Sequence, residues 1–170
     1  MEINILTSNI GRFLFIVLLQ VLILSKIEFT PLLLTPYIYP LFILLLPFEI
    51  SNSVVLIFSL AAGLSVDIFY DTGGAHASSL IFMGFARKFM LRVISPRDGY
   101  EIGIYPRIYY MGFTWFAKYT LIMVFIHHSI YFLIEIFSFA QYFDSILRII
   151  FTTILSSFLI ILSQFIVFRK

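Results

Sequence analysis

The chain has 170 residues, of which 61% are hydrophobic and 12% charged, with a mean hydropathy of +1.05. Soluble globular domains carry roughly 25% charged residues, so these proportions exclude a water-soluble enzyme or a nucleic-acid-binding domain and predict an all-α polytopic membrane protein. The absence of cysteine excludes thiolate metal sites, disulfides and a Cys nucleophile, and the net charge of +2 is uninformative about partners because basic residues are needed to orient helices.

In chain order, six helices are expected within one transmembrane domain, over residues 8–27, 31–47, 52–69, 75–93, 110–137 and 146–168. A spanning helix needs about 20 apolar residues, so the first, whose apolar run is residues 13–24, must borrow from both flanks. The second carries four prolines, at 31, 36, 40 and 47. Each removes a backbone donor, so this pass is expected to be broken or partly non-helical. Such irregular backbone is tolerated at membrane depth only where protein or a water-filled cavity surrounds it. Ser51 or Asn52 is placed to cap the third helix. The fifth apolar region exceeds a perpendicular span and requires tilt or an interfacial extension. No cleavable leader is expected at the start of the chain.

The basic residues predict an orientation. Arg87, Lys88, Arg92, Arg97 and Arg107 surround the connection between the fourth and fifth helices, and Arg169 and Lys170 end the chain. With six spans and both termini cytoplasmic, all of these fall inside together with Arg12 and Lys118. Only Lys26, near Glu28, and Arg148, near Asp144, fall outside. This arrangement places residues 67–74 on the outer face of the membrane.

Residues 63–92 stand apart because they interrupt apolar sequence with acids, paired glycines, small residues and then basic residues. Asp67 and Asp71 lie one helical turn apart. Gly73 and Gly74 permit a tight reversal, since glycine reaches positive φ without a steric penalty. Ala75, Ala77, Ser78 and Ser79 then allow the next helix to approach a neighbouring backbone closely. Asp71 is explained by its place in a turn-forming Asp-Thr-Gly-Gly sequence. Asp67 needs interfacial water or hydrogen-bond donors, and the unpaired N–H groups opening the fourth helix supply such donors.

Catalytic patterns are scarce. The His-Glu-x-x-His of an intramembrane metalloprotease and the adjacent glutamates of a CAAX-type protease do not occur. His127 and His128 are adjacent, so on a helix their rings point about 100° apart, whereas shared metal ligation favours i, i+3 or i, i+4. His128 and Glu135, two turns apart on one face, are expected to form a buried polar pair. No catalytic residue, cofactor or metal is assigned.

The order Gly63, Asp67, a glycine turn and a small-residue helix start, in a six-helix chain of this size, resembles the rod shape-determining protein MreD family, closest to its Bacteroidetes-type versions. The specific segment is residues 63–77, read as Gly-x-x-x-Asp followed by Gly-x-x-Ala at Gly74 and Ala77. The resemblance implies a non-catalytic inner-membrane component of the cell-elongation machinery that helps to organise peptidoglycan synthesis. It implies MreC as the direct partner, MreB and the RodA transglycosylase with its transpeptidase as further ones, and membrane lipid around them, with no nucleic acid. Gly63, Asp67, Asp71, Gly73, Gly74 and Ala77 are the expected structural and partner-interface residues. The family also resembles the six-helix substrate-binding S-components of vitamin-importing ECF transporters. That alternative predicts Asp67, Tyr70, Asp71, His76, His128 and Glu135 converging on an outward cavity.

Overall fold

The computed structural model describes residues 2–27, 34–135 and 142–166, with side chains from residue 9 onward and, after the second break, from residue 145. The expected contacts of Glu28 and Asp144, and the basic pair Arg169 and Lys170, lie outside the described side chains. The described residues are all-α, with seven helices: α1 (Glu2–Leu22), α2 (Leu41–Leu44), α3 (Asn52–Tyr70), α4 (Ala75–Val93), α5 (Ile108–Met111), α6 (Phe113–Glu135) and α7 (Tyr142–Ile166). A short 3-10 turn, Leu24–Lys26, follows α1. Four stretches are long and apolar enough to cross a membrane, namely Asn9–Lys26, Asn52–Tyr70, Phe113–Glu135 and Ser145–Ile166, the mark of a multi-pass membrane protein.

The helix expected over residues 31–47 is not formed. Its described part is extended from residue 34, with one helical turn at α2. Prolines 36 and 40 explain this, because each lacks an N–H and the residue before a proline is pushed towards extended backbone. The segment nevertheless traverses the bundle. Near the C-terminal end of α1, Gln20 Nε2 donates to Pro36 O (3.2 Å) and Gln20 Oε1 accepts from Ile38 N (2.7 Å). At the middle of α1, Arg12 Nη1 donates to Leu45 O (3.4 Å). Residues 36–46 therefore run antiparallel to α1, and every one of them is buried.

Side chains from the surrounding helices satisfy this irregular backbone. Ser156 Oγ of α7 accepts from Tyr37 N (2.9 Å), Tyr119 Oη of α6 donates to Leu44 O (3.4 Å), and Arg87 Nη2 of α4 donates to Leu46 O (2.5 Å). The apolar side chains of the same residues, Ile38 and 41–46, form the centre of the hydrophobic core.

From α3 onward the long helices pack antiparallel in chain order. Gly63 of α3 faces Ala77 of α4, while Ser59 faces Gly84 further along. Arg87 and Ser79 of α4 meet Tyr119 and His127 of α6, and His128 and Glu135 of α6 meet Thr153 and Arg148 of α7. The bundle thus has a turn end, at residues 71–74, and a basic end. At the basic end the residue 94–107 connection is tied down: Phe48 stacks on Tyr100 (4.1 Å, 13°), Gly103 N donates to Glu49 Oε1 (2.7 Å), and Trp115 Nε1 donates to Ile94 O (2.9 Å). Burial pushes the Tyr100 hydroxyl up to about 12. It therefore remains a donor to Leu91 O, at 2.7 Å, across the physiological range.

Of the glycines, Gly63 lies closest to a neighbouring helix backbone. A Cβ there would fall on the Ala77 backbone, 2.7 Å from its N, whereas a Cβ at Gly11 would meet nothing within 4 Å. Gly63→Ala must push α3 and α4 apart, and by overpacking is expected to cost on the order of 1–3 kcal/mol. Thermal unfolding in detergent should show a lowered midpoint for Gly63→Ala and none for Gly11→Ala. Equal midpoints for both would mean that the hairpin adjusts freely.

Candidate functional site

Around the turn end, the residues singled out in the sequence form one joint. Asp67, 6% exposed near the end of α3, accepts at Oδ1 from His76 N (3.0 Å) and at Oδ2 from Ala77 N (2.9 Å). These are two of the N–H groups that open α4 and have no partner within it. Thr72 Oγ1 donates to Asp67 Oδ1 at 2.5 Å, which ties the turn to the same carboxylate. A negative group here also matches the positive end of the α4 dipole.

Gly63 lies one turn before Asp67 and lets the Ala77 backbone come close enough for these bonds. Gly73 and Gly74 reverse the chain with φ of 58° and 99°, and Asp71 closes α3 in the left-handed conformation at φ 54°. Asp71 faces outward, as does Ser78, so of the small residues opening α4 only Ala75, Ala77 and Ser79 pack inward.

Beneath this joint lies a buried polar cluster that the sequence did not reveal as a unit. Tyr39, on the irregular segment, places its hydroxyl 2.9 Å from His76 Nδ1 and 2.5 Å from His127 Nε2. Ser79 Oγ lies 3.1 Å from the same His127 nitrogen and donates to His76 O (3.0 Å). One assignment satisfies all of these contacts. His127 carries its proton on Nε2 and donates to both oxygens, while Tyr39 donates to His76 Nδ1. Beside them, the Tyr37 ring touches those of Tyr70, His76, His128 and Tyr131, and His76 stacks on Tyr131 (4.4 Å, 19°). Gln20 Nε2 reaches Tyr70 Oη at 2.8 Å.

Three of the six residues expected to line a cavity, Tyr70, His76 and His128, therefore converge, and Asp67 joins them through the His76 backbone. Asp71 and Glu135 do not. Glu135 lies 3.8 Å from Arg148, while His128 Nδ1 lies 3.1 Å from Thr153 Oγ1. The expected His128 and Glu135 pair is thus absent, because seven residues of helix separate two groups by about 10 Å along the axis. His127 and His128 diverge as adjacent helical residues must, one towards α4 and the other towards α7.

Ser79 and His127 have the separation of a nucleophile and its base, but the hydroxyl is fully buried and the ring nitrogen is shared with the nearer Tyr39. The sequence Gly63-Leu64-Ser65 has the Gly-x-Ser form of some intramembrane serine proteases, yet the Ser65 hydroxyl donates to Ala61 O of its own helix. Among the described residues, no group of three His, Cys, Asp or Glu is disposed to hold a metal ion. His76 Nε2, His127 Nδ1 and His128 Nε2 are buried and have no hydrogen-bond partner among the described residues.

The chain matches no protein-family profile, no curated protein and no solved structure.

Tyr39→Phe removes the hydroxyl that joins α4 and α6, leaving the buried His76 Nδ1 without its donor and His127 Nε2 with Ser79 Oγ alone. The expected cost is about 1–3 kcal/mol. Thermal unfolding should place Tyr39→Phe below the parent and Tyr109→Phe, on an exposed tyrosine, level with it. A parent-like Tyr39→Phe would reduce the cluster to passive packing.

Proposed function

We propose that this protein is a non-catalytic scaffold of the bacterial cell-elongation machinery, set in the inner membrane and similar to MreD. Its direct partner is MreC, and MreB and the RodA transglycosylase with its transpeptidase are reached through that complex. The observation that carries this reading is the joint itself. Gly63, Asp67, Gly74 and Ala77, the four positions on which the resemblance rests, meet in three dimensions, and what they do is hold two helices in a fixed hairpin. A rigid hairpin suits a protein whose output is a surface. The outward faces of the hairpin are apolar, with Ile57, Leu64 and Ile68 on α3 and Phe85 and Phe89 on α4 exposed.

The alternative, an S-component-like subunit of a vitamin transporter, requires polar side chains around an open cavity. Its support is the convergence of Tyr70, His76 and His128, but the ring of Tyr37 occupies the space between them. The packed centre favours the scaffold.

Asp67→Leu removes the acceptor for the α4 N–H groups, whereas Asp67→Asn keeps one amide oxygen. At matched expression, mild-detergent capture of the chain should recover a single-pass periplasmic partner with the parent, less with Asp67→Asn and least with Asp67→Leu. Retention by Asp67→Leu would sink the role of the joint in partner binding. Recovery of ATPase subunits together with a small molecule would favour the transporter.

The same reading assigns both termini and the basic end to the cytoplasm, with the irregular segment as the second of six crossings. Because the chain has no native cysteine, Asp71→Cys should react with an impermeant thiol reagent in sphaeroplasts and Asp98→Cys should not. The reverse pattern would invert the orientation.

A further inference from the structure

At the basic end, the start of α3, the last two turns of α4 and the residue 94–107 connection enclose a cavity of about 590 Å³. Its lining includes three cations, Arg87, Lys88 and Arg92, and no acid. Arg87 is 3% exposed. Its Nε donates to Tyr119 Oη (3.0 Å), and its Nη2 to Leu46 O (2.5 Å) and Pro47 O (3.3 Å), all of them neutral acceptors. Nη1 takes part in none of these bonds.

A guanidinium held by carbonyl and phenol dipoles is fixed in place but keeps its whole charge, and an uncompensated buried charge is costly. Lys88 and Arg92, four residues apart on one helix face, repel each other as well. The need for basic residues on one side of a membrane explains their side but not their convergence on one cavity without a counter-charge.

Two further features face the same space. Ser51 precedes the first turn of α3 and makes no side-chain capping bond, so its hydroxyl and the opening N–H groups of a 19-residue helix remain available. Such a helix start favours an anion. The rest of the wall is apolar, with Phe48, Ile50 and Leu91. Cations grouped beside apolar surface at the end of a helical bundle match an amphiphile with an anionic head.

We propose that this cavity binds the phosphate of an anionic phospholipid headgroup, with Arg87 as the preset contact and Lys88 and Arg92 as the outer ones. The assignment is independent of the partner proposed above.

The test uses the full chain, purified in detergent and stripped of lipid, with phosphatidylglycerol, phosphatidylcholine or inorganic phosphate as the probe. Native mass spectrometry reads retained lipid, and thermal unfolding reads the apparent affinity. Phosphatidylglycerol should be retained and should raise the unfolding midpoint more than phosphatidylcholine at equal concentration. Lys88→Gln with Arg92→Gln should weaken that effect about tenfold or more. Arg97→Gln, which removes a charge outside the cavity, should leave it unchanged. Arg87 supports the fold, so its removal is not the deciding variant. Equal effects of the two lipids, or an equal loss with Arg97→Gln, would overturn the site. A full effect from inorganic phosphate alone would assign the cavity to soluble phosphate and overturn the lipid.

Discussion

The structure depends on burying a stretch of backbone that, apart from the single turn of α2, is neither helix nor sheet. Residues 36–46 pass through the middle of the bundle, where unpaired N–H and C=O groups would each cost several kcal/mol in a membrane. The helices around them must therefore present polar side chains inward at particular heights. Gln20 serves Pro36 and Ile38, Ser156 serves Tyr37, and Tyr119 and Arg87 serve residues 44–47. Polar residues that look misplaced in apolar helices are the hydrogen-bond complement of the prolines at 36 and 40. The same constraint explains why Tyr39 reaches the histidines, since an extended segment at the centre projects its side chains towards several helices at once.

α4 is the element on which these demands meet. It is less apolar than its neighbours, carries Arg87, Lys88 and Arg92, and lies between α3 and α6. Its ends are closed from outside the helix. Asp67 takes two opening N–H groups, while Tyr100 and Trp115 donate to Leu91 O and Ile94 O at the other end. Asp67 at the start and Arg92 in the last turn both complement the helix dipole. With its ends fixed, α4 presents His76 and Ser79 to Tyr39 and Arg87 to Leu46 without freedom to slide.

What the sequence disclosed follows from locality. The Asp67 joint was legible because its parts lie within fifteen residues, so the helix end, the glycine turn and the small residues could be read together. The all-α class followed from composition, and the broken second pass from four prolines. The partners of that pass were not legible, since Gln20 and Ser156 lie 16 and 119 residues away from the groups they serve and no periodicity connects them. A weak signal existed in Gln20, a lone amide within an apolar run. The expected pairing of His128 with Glu135 failed for a related reason. A shared helix face does not bring together groups two turns apart, and tertiary neighbours, Thr153 and Arg148, took their places.

The two ends of the bundle treat buried charge in opposite ways, and the contrast bears on which end has spare binding capacity. At the turn end, the Asp67 carboxylate receives three short-range donors from its own hairpin, so its hydrogen-bonding demand is met locally. At the basic end, Arg87 is oriented by neutral acceptors, so its geometry is satisfied while its charge is not. A carboxylate saturated by N–H and O–H groups gains little from an added cation, and its role is to hold shape. A guanidinium fixed beside two further cations and an open helix start gains from any anion that fits, at little cost in ordering, because the contact is already in place. Shape is therefore set at one end of α4, and capacity for an anionic ligand is left at the other.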